Sequence, residues 1–222
     1  MTFTNIKIHS LNGLWRRSGL WWLVGAVFLL SACTSLSPLA PEAPSERIAQ
    51  LWQQHVQSVN AQTDWTLSAR IAAHSEDDGW NGKLYWQQKK DTYQLSFNAP
   101  FGQGGLQLDG GPQQVEMRTS DGQAMVAADV ESLLFQQLGW RLPLNSLRYW
   151  VRGVPVPASG KAPLLAFDEK GRLARLQQFH WQIAYPAYRQ VDGLMLPRKV
   201  YLENGEISVR LVIDRWESGN SD

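Results

Sequence analysis

The sequence predicts a mainly β domain with some α-helix: an antiparallel sheet of about eleven strands, preceded by one helix and interrupted by two more. Three observations predict it. From Trp65 onward, apolar residues recur at every second position, the period of a half-buried strand. Turn sequences such as Ser120-Asp121-Gly122, Val191-Asp192-Gly193 and Glu203-Asn204-Gly205 punctuate that alternation at short intervals. Midway, residues 130–139 and 144–152 switch to helical spacing. Strand twist accumulates across so many strands, so the sheet curls and its apolar face becomes a concavity that needs a cover.

The chain opens with Lys7, Arg16 and Arg17 ahead of the uncharged run Leu20–Leu30, followed by Leu30-Ser31-Ala32-Cys33, which holds the only cysteine. A basic segment, an apolar stretch of about 7–15 residues and small residues at a cleavage point make a secretory signal peptide. A helix crossing a bilayer needs about 20 apolar residues, and this run is shorter. Leu-Ser-Ala-Cys resembles the lipobox of bacterial lipoprotein precursors. That resemblance implies a diacylglycerol on the Cys33 thiol, cleavage just before it and acylation of the new amine. Thr34 rather than Asp follows the cysteine, which in the enterobacterial sorting pattern implies the outer membrane, with the domain facing the periplasm. Residues 1–32 are therefore expected to be a cleaved leader. Residues 33–44, with Pro38, Pro41 and Pro44, are expected to be an acylated cysteine and extended tether, and 45–222 one domain.

Without residues 1–32 the chain has 190 residues, a length suited to one domain. Lys7, Arg16 and Arg17 leave with the leader and no acidic residue does, so 18 basic and 20 acidic residues remain, a net of −2. That balance argues against nucleic acid as a partner. Eight tryptophans remain (52, 65, 80, 86, 140, 150, 181 and 216). They can fill a core, line a pocket or stack on sugars, and composition does not choose among these.

Ser45 can cap a helix over about 45–60, with Ile48, Leu51, Trp52, Val56 and Val59 on one face. The first strand places Trp65, Leu67, Ala69, Ile71 and Ala73 on one side; Leu84 and Trp86, then Tyr93, Leu95 and Phe97, repeat the pattern. Leu106 and Leu108, Val115 and Met117, and Ala124 and Val126 complete a six-stranded meander. Asp129 is a plausible N-cap for a helix bearing Val130, Leu133, Leu134 and Leu138, stopped at Gly139. Pro143 opens a second, with Leu144, Leu147, Trp150 and Val151 on one side. Strands then resume at Leu164–Phe167, Leu173–Gln178, Trp181–Tyr185, Leu196–Leu202 and Ile207–Trp216. Most are five to seven residues long, against the roughly 9–11 a transmembrane barrel strand needs. The two mid-chain helices carry the remaining apolar stripes and are expected over or inside the concavity, either plugging it as core or covering a pocket.

Three segments resemble the LolB family of outer-membrane lipoprotein receptors: Leu84-Tyr85-Trp86-Gln87-Gln88, Asn98-Ala99-Pro100-Phe101-Gly102 and Pro143-Leu144-Asn145-Ser146-Leu147-Arg148-Tyr149-Trp150. The third is the most specific; residues 155–190 match more loosely. The resemblance implies an open antiparallel β half-barrel with a helical lid over a hydrophobic cavity. It also implies a monomer that accepts acylated lipoproteins from a LolA-type periplasmic carrier and places them in the outer-membrane lipid, with no cofactor and no catalysis. The family has an exposed bulky apolar residue, typically Leu, in the loop that matches Pro100, Phe101 and Gly102, where it serves membrane insertion; here it is Phe101. The expected cavity and lid lining is Leu84, Trp86, Leu95, Phe97, Leu133, Leu134, Leu147 and Trp150. Arg148 is either a tie for the lid, through a carboxylate or carbonyl, or an exposed arginine.

Catalytic signatures are lacking. His55, His74 and His180 lie far apart without metal-ligand spacing, and Asp77-Asp78 and Asp168-Glu169 read as turns. There is no nucleophile elbow, phosphate loop or paired-cysteine motif. A glycan- or peptidoglycan-binding lipoprotein is the rival reading, but Trp65 and Trp86 share parity with Leu and Ile neighbours, which favours core or cavity over an exposed platform. A scaffold lipoprotein shares the same pattern.

Overall fold

Helix α1 (Glu46–Ala61) begins where the Ser45 hydroxyl accepts from the Ile48 amide at 3.4 Å, with Glu46 in its first turn. The computed structural model describes residues 44–76, 78–100, 104–139, 141–157 and 162–219. Cys33 with the expected leader and the expected tether up to residue 43, Phe101 and Gly102 lie outside the described residues, as does Trp140. The stripe on α1 buries Val59 and sets Trp52 edge-on against Phe167, ring centroids 5.4 Å apart.

Six strands follow: β1 (Asp64–Ser75), β2 (Gly79–Lys89), β3 (Thr92–Asn98), β4 (Gly105–Gly110), β5 (Val115–Thr119) and β6 (Ala124–Ala127). Helices α2 (Val130–Leu138) and α3 (Leu144–Trp150) come next, then β7 (Leu164–Phe167), β8 (Leu173–Gln178), β9 (Trp181–Val191), β10 (Leu194–Glu203) and β11 (Ile207–Ser218). All eleven strands form one antiparallel sheet in the order β6-β5-β4-β3-β2-β1-β11-β10-β9-β8-β7. First and last strands pair at its centre, and β6 and β7 are its two edges; the sheet is open. Alternate residues point to one buried face: Leu67, Ile71, Leu84, Trp86, Leu108, Met117, Val209 and Leu211 are all at most 3% exposed.

The two halves of the sheet are built differently. The pairings from β1 to β6 run without a register shift. At the seam and beyond, extra residues intervene: Asp214 on β11 opposite Ser68/Ala69, Arg198 on β10, and a further residue near Pro186 on β9. Bulges of this kind bend a strand and increase its twist. They also accommodate Pro186, which lacks the amide a central strand would use. Strand β9 therefore continues to Val191, past the Tyr185 end that the sequence pattern gives. Five strands reach ten residues or more, which corrects the expectation of five to seven. Strand length thus does not separate this sheet from a membrane barrel; its open edges do.

Helix α2 owes its start to Asp129, whose carboxylate accepts from the amides of Glu131 (3.2 Å) and Ser132 (2.9 Å) and from the Ser132 hydroxyl (2.6 Å). The Ser132 hydroxyl does most to hold the carboxyl below its usual value of 3.8; burial pushes the other way and is outweighed when the backbone amides and Arg141 are added. Replacing Asp129 with Ala is expected to cost about 1 kcal/mol by chemical denaturation. Because the folded pKa lies below the unfolded one, this contribution is complete above the unfolded value. It fades as pH falls through the folded one, so the wild-type and Asp129→Ala stability curves should converge only at strongly acidic pH.

Candidate functional site

The eight residues expected to line a cavity come together on the inner face, none more than 5% exposed. Leu84 and Trp86 from β2 and Leu95 and Phe97 from β3 face inward, and Leu133 and Leu134 of α2 and Leu147 and Trp150 of α3 join the same apolar cluster. Leu142, Leu144, Val151 and Val154, from the helices and their flanks, extend it. Aromatic contacts run through it: Trp65 touches Trp86 (5.2 Å) and Trp216 (5.6 Å), Trp80 touches Phe97 (5.8 Å), and Trp150 touches Trp181 (6.0 Å). The helices thus fill the concave side of the sheet. The topology explains why they are there: α2 and α3 are the connection between the two sheet edges, β6 and β7.

The helices are fastened unequally. At α3, the Trp150 indole donates to Gln178 Oε1 at 3.0 Å, and Gln178 also exchanges two hydrogen bonds with the Val156 backbone (3.0 and 2.9 Å). Just beyond α3, Arg152 donates to the carbonyls of Val59 (2.9 Å) and Gln62 (3.1 Å), the open end of α1, and to Arg148 O (3.0 Å). Arg152 is 8% exposed, and burial draws its pKa down to about 10, so it remains charged at neutral pH. Helix α2 has one side-chain hydrogen bond to the sheet among the described residues, Gln137 Nε2 to Met125 Sδ at 3.6 Å. Its remaining hold on the sheet is apolar, through Val130, Leu133 and Leu134; Phe135 faces out under the Arg141 guanidinium.

Gln88, Gln178 and Arg152 are the buried polar residues that the apolar pattern did not single out. Gln88 was legible: it shares parity with Leu84 and Trp86, and a buried indole needs an acceptor. It accepts from Trp86 Nε1 at 3.1 Å and donates to the carbonyls of Lys90 and Thr92, tying down the β2–β3 turn.

Two hollows open at this end, where α3 meets the β2–β3 turn. One, of about 500 Å³, is lined by Trp65, Gln88, Lys90, Asp91, Arg148 and Arg152 among others. The other, of about 320 Å³, reaches Trp86, Val130 and Leu144 and has Asp91, Asp129 and Arg148 on its wall. On the outer face, Pro100 borders a hollow of about 690 Å³ with Arg70, Lys83 and Arg210. His55 packs on Trp52 and burial lowers its pKa, and His180 sits in the β8–β9 turn at φ 67°. Asp168 closes the β7–β8 turn through the amides of Lys170 and Arg172.

An open antiparallel sheet with an apolar interior filled by the helices that join its edges defines a half-barrel class of fold. A crystal structure of a DUF1329 family protein from Desulfovibrio piger has the same fold, with a TM-score of 0.50 at 9% identity, covering 82% of this chain and 95% of that one. Residues 63–216 match the family model described as "Outer membrane lipoprotein LolB". The outer-membrane lipoprotein LolB of Nitrosococcus oceani is 37% identical over 87% of this chain and 94% of its own length; that of Alkalilimnicola ehrlichii is 39% identical over 86% and 92%. The chain belongs to the LolB family of outer-membrane lipoproteins. No helix among the described residues is long and apolar enough to cross a membrane.

Proposed function

We propose that this protein is a non-catalytic receptor that takes acylated lipoproteins from a LolA-type periplasmic carrier and inserts them into the outer membrane. In this reading it is held there as a monomer by acyl groups on Cys33, with its domain in the periplasm. The observation that carries the reading is the apolar concave face closed by α2, a helix held almost wholly by apolar contacts.

The energetics suit a transient holder. Hydrocarbon burial is worth ~0.8 kcal/mol per methylene, so an acyl chain of about sixteen carbons brings roughly 12 kcal/mol. Admitting it by displacing α2 uncovers Val130, Leu133 and Leu134, at about 1.5–3 kcal/mol each. The chain is then held, but less firmly than in a bilayer, where no core must be opened. Affinity between those of water and bilayer is what one-way delivery needs.

The test is a transfer assay in which an acylated protein loaded on the carrier meets this protein and then liposomes. Phe101→Glu should still accept cargo from the carrier and fail to deliver it to the liposomes. Undiminished delivery would remove Phe101 from the insertion step, and no acceptance by the wild type would refute the receptor role.

A further inference from the structure

Arg148 stands at the wall shared by the two hollows beside α3. Its Nη2 donates to the Tyr149 hydroxyl at 3.0 Å and its guanidinium lies 4.9 Å from that ring. Its Nη1 is 3.7 Å from Asp91, a long contact to a carboxylate that is 74% exposed, and such pairs contribute little. Its Nε is buried and has no hydrogen-bond partner. A buried donor left unmade costs free energy that an incoming acceptor recovers. The charges around it are Arg152 and Lys90 in the first hollow, Asp129 in the second and Asp91 in both. Arg152 spends its Nε and Nη1 on three carbonyls, whereas the Nε of Arg148 is a buried guanidinium donor left without a partner. Within van der Waals reach of the same hollows are Trp65, Trp86, Val130 and Leu144, the outer margin of the apolar interior.

We propose that Arg148 is the polar anchor of the acyl site. Its guanidinium donates to the acceptor oxygens at the neck of a bound acyl chain while the hydrocarbon passes beneath α2. Those oxygens are the carboxylate of a free fatty acid or the ester and amide carbonyls of an acylated protein. This rests on the acyl-binding reading above and adds the site that reads the polar end of the ligand. The mouth then lies at the α3/β2–β3 end of the sheet, and a chain without an oxygen-bearing neck loses a defined register rather than its entire affinity.

Residues 38–222 form a compact unit with its own core, so the assay can use protein lacking residues 1–33. A neutral fluorescent probe, 1-N-phenylnaphthylamine, is displaced by laurate, methyl laurate or dodecane, for the wild type, Arg148→Met and Arg148→Lys. Arg148→Met should weaken laurate about tenfold, the loss of one charge-assisted donor set, and leave dodecane within about twofold. Arg148→Lys, which keeps a donor and the charge, should recover part of the loss and serves if the Met variant does not fold. Loss for laurate alone identifies a carboxylate reader, and loss for methyl laurate as well identifies a reader of acyl carbonyls. Equal weakening of all three chains, or no weakening of either oxygenated one, overturns the anchor. Failure of every chain to bind the wild type overturns the acyl-binding reading beneath it, and is recognisable because dodecane fails too.

Discussion

Tying α2 to β6 is expected to lower cargo acceptance from the carrier at least tenfold. Gln137 and Met125 touch across that boundary, so a Met125→Cys/Gln137→Cys pair joined by a short thiol cross-linker holds the helix on the edge strand. The mature protein has only Cys33, acylated in the proposed form, so the introduced pair is the one available. The expectation follows from occupancy: Leu133 and Leu134 sit where hydrocarbon would have to go, and interiors are packed too densely to admit a chain without displacement. The un-cross-linked double variant should transfer normally, and a cross-linker with a reducible bond should restore transfer on reduction. Undiminished transfer with the cross-link in place would mean that the interior is entered by another route.

Trp150→Ala is expected to be the most destabilising single change in the helical connection, about 4 kcal/mol by urea denaturation. Trp150 is fully buried, packs on Trp181 and bonds to Gln178, so truncation leaves a large cavity at the point where α3 meets β8 and β9. Against a typical domain stability of about 5–15 kcal/mol that is a large fraction. Trp150→Phe separates packing from the hydrogen bond. Gln178 Oε1 keeps its bond from the Val156 amide, so the acceptor is not orphaned, and the cost should drop to about 1–2 kcal/mol. If the two variants lose the same amount, the hydrogen bond and not the packing fixes α3.

What the sequence made legible was local. The period of two set the meander from Trp65 to Val126, and the turns at 120–122, 192–193 and 204–206 separate strands as expected. Asp129 caps the start of α2 with its carboxylate, and Gly139 ends it in the left-handed backbone conformation, as expected of those residue types. Less legible was whatever depends on partners far away in the chain. Pro186 reads as a strand end until the shifted β9–β10 register accommodates it. Arg152 carries no local signal, because the carbonyls it binds belong to the end of α1, some 90 residues earlier. All eight residues expected to line a cavity are buried. Whether a sheet and its helices enclose space or fill it leaves the same alternation in the sequence, because both arrangements bury the same face.

The pairing of β1 with β11 has a consequence for how the molecule is made. One of the two neighbours of β1 is β11, the last strand among the described residues, so register along the seam joins residues as far apart as Trp65 and Ser218. Contacts of such long sequence separation make folding slow, since a large loop must close before they form. A nascent chain emerging N-terminus first can assemble the β1–β6 meander early but cannot seal its interior until the final dozen strand residues arrive. For a polypeptide threaded through a membrane in an extended state, as the proposed export would require, this late keystone keeps the chain pliable until translocation is complete.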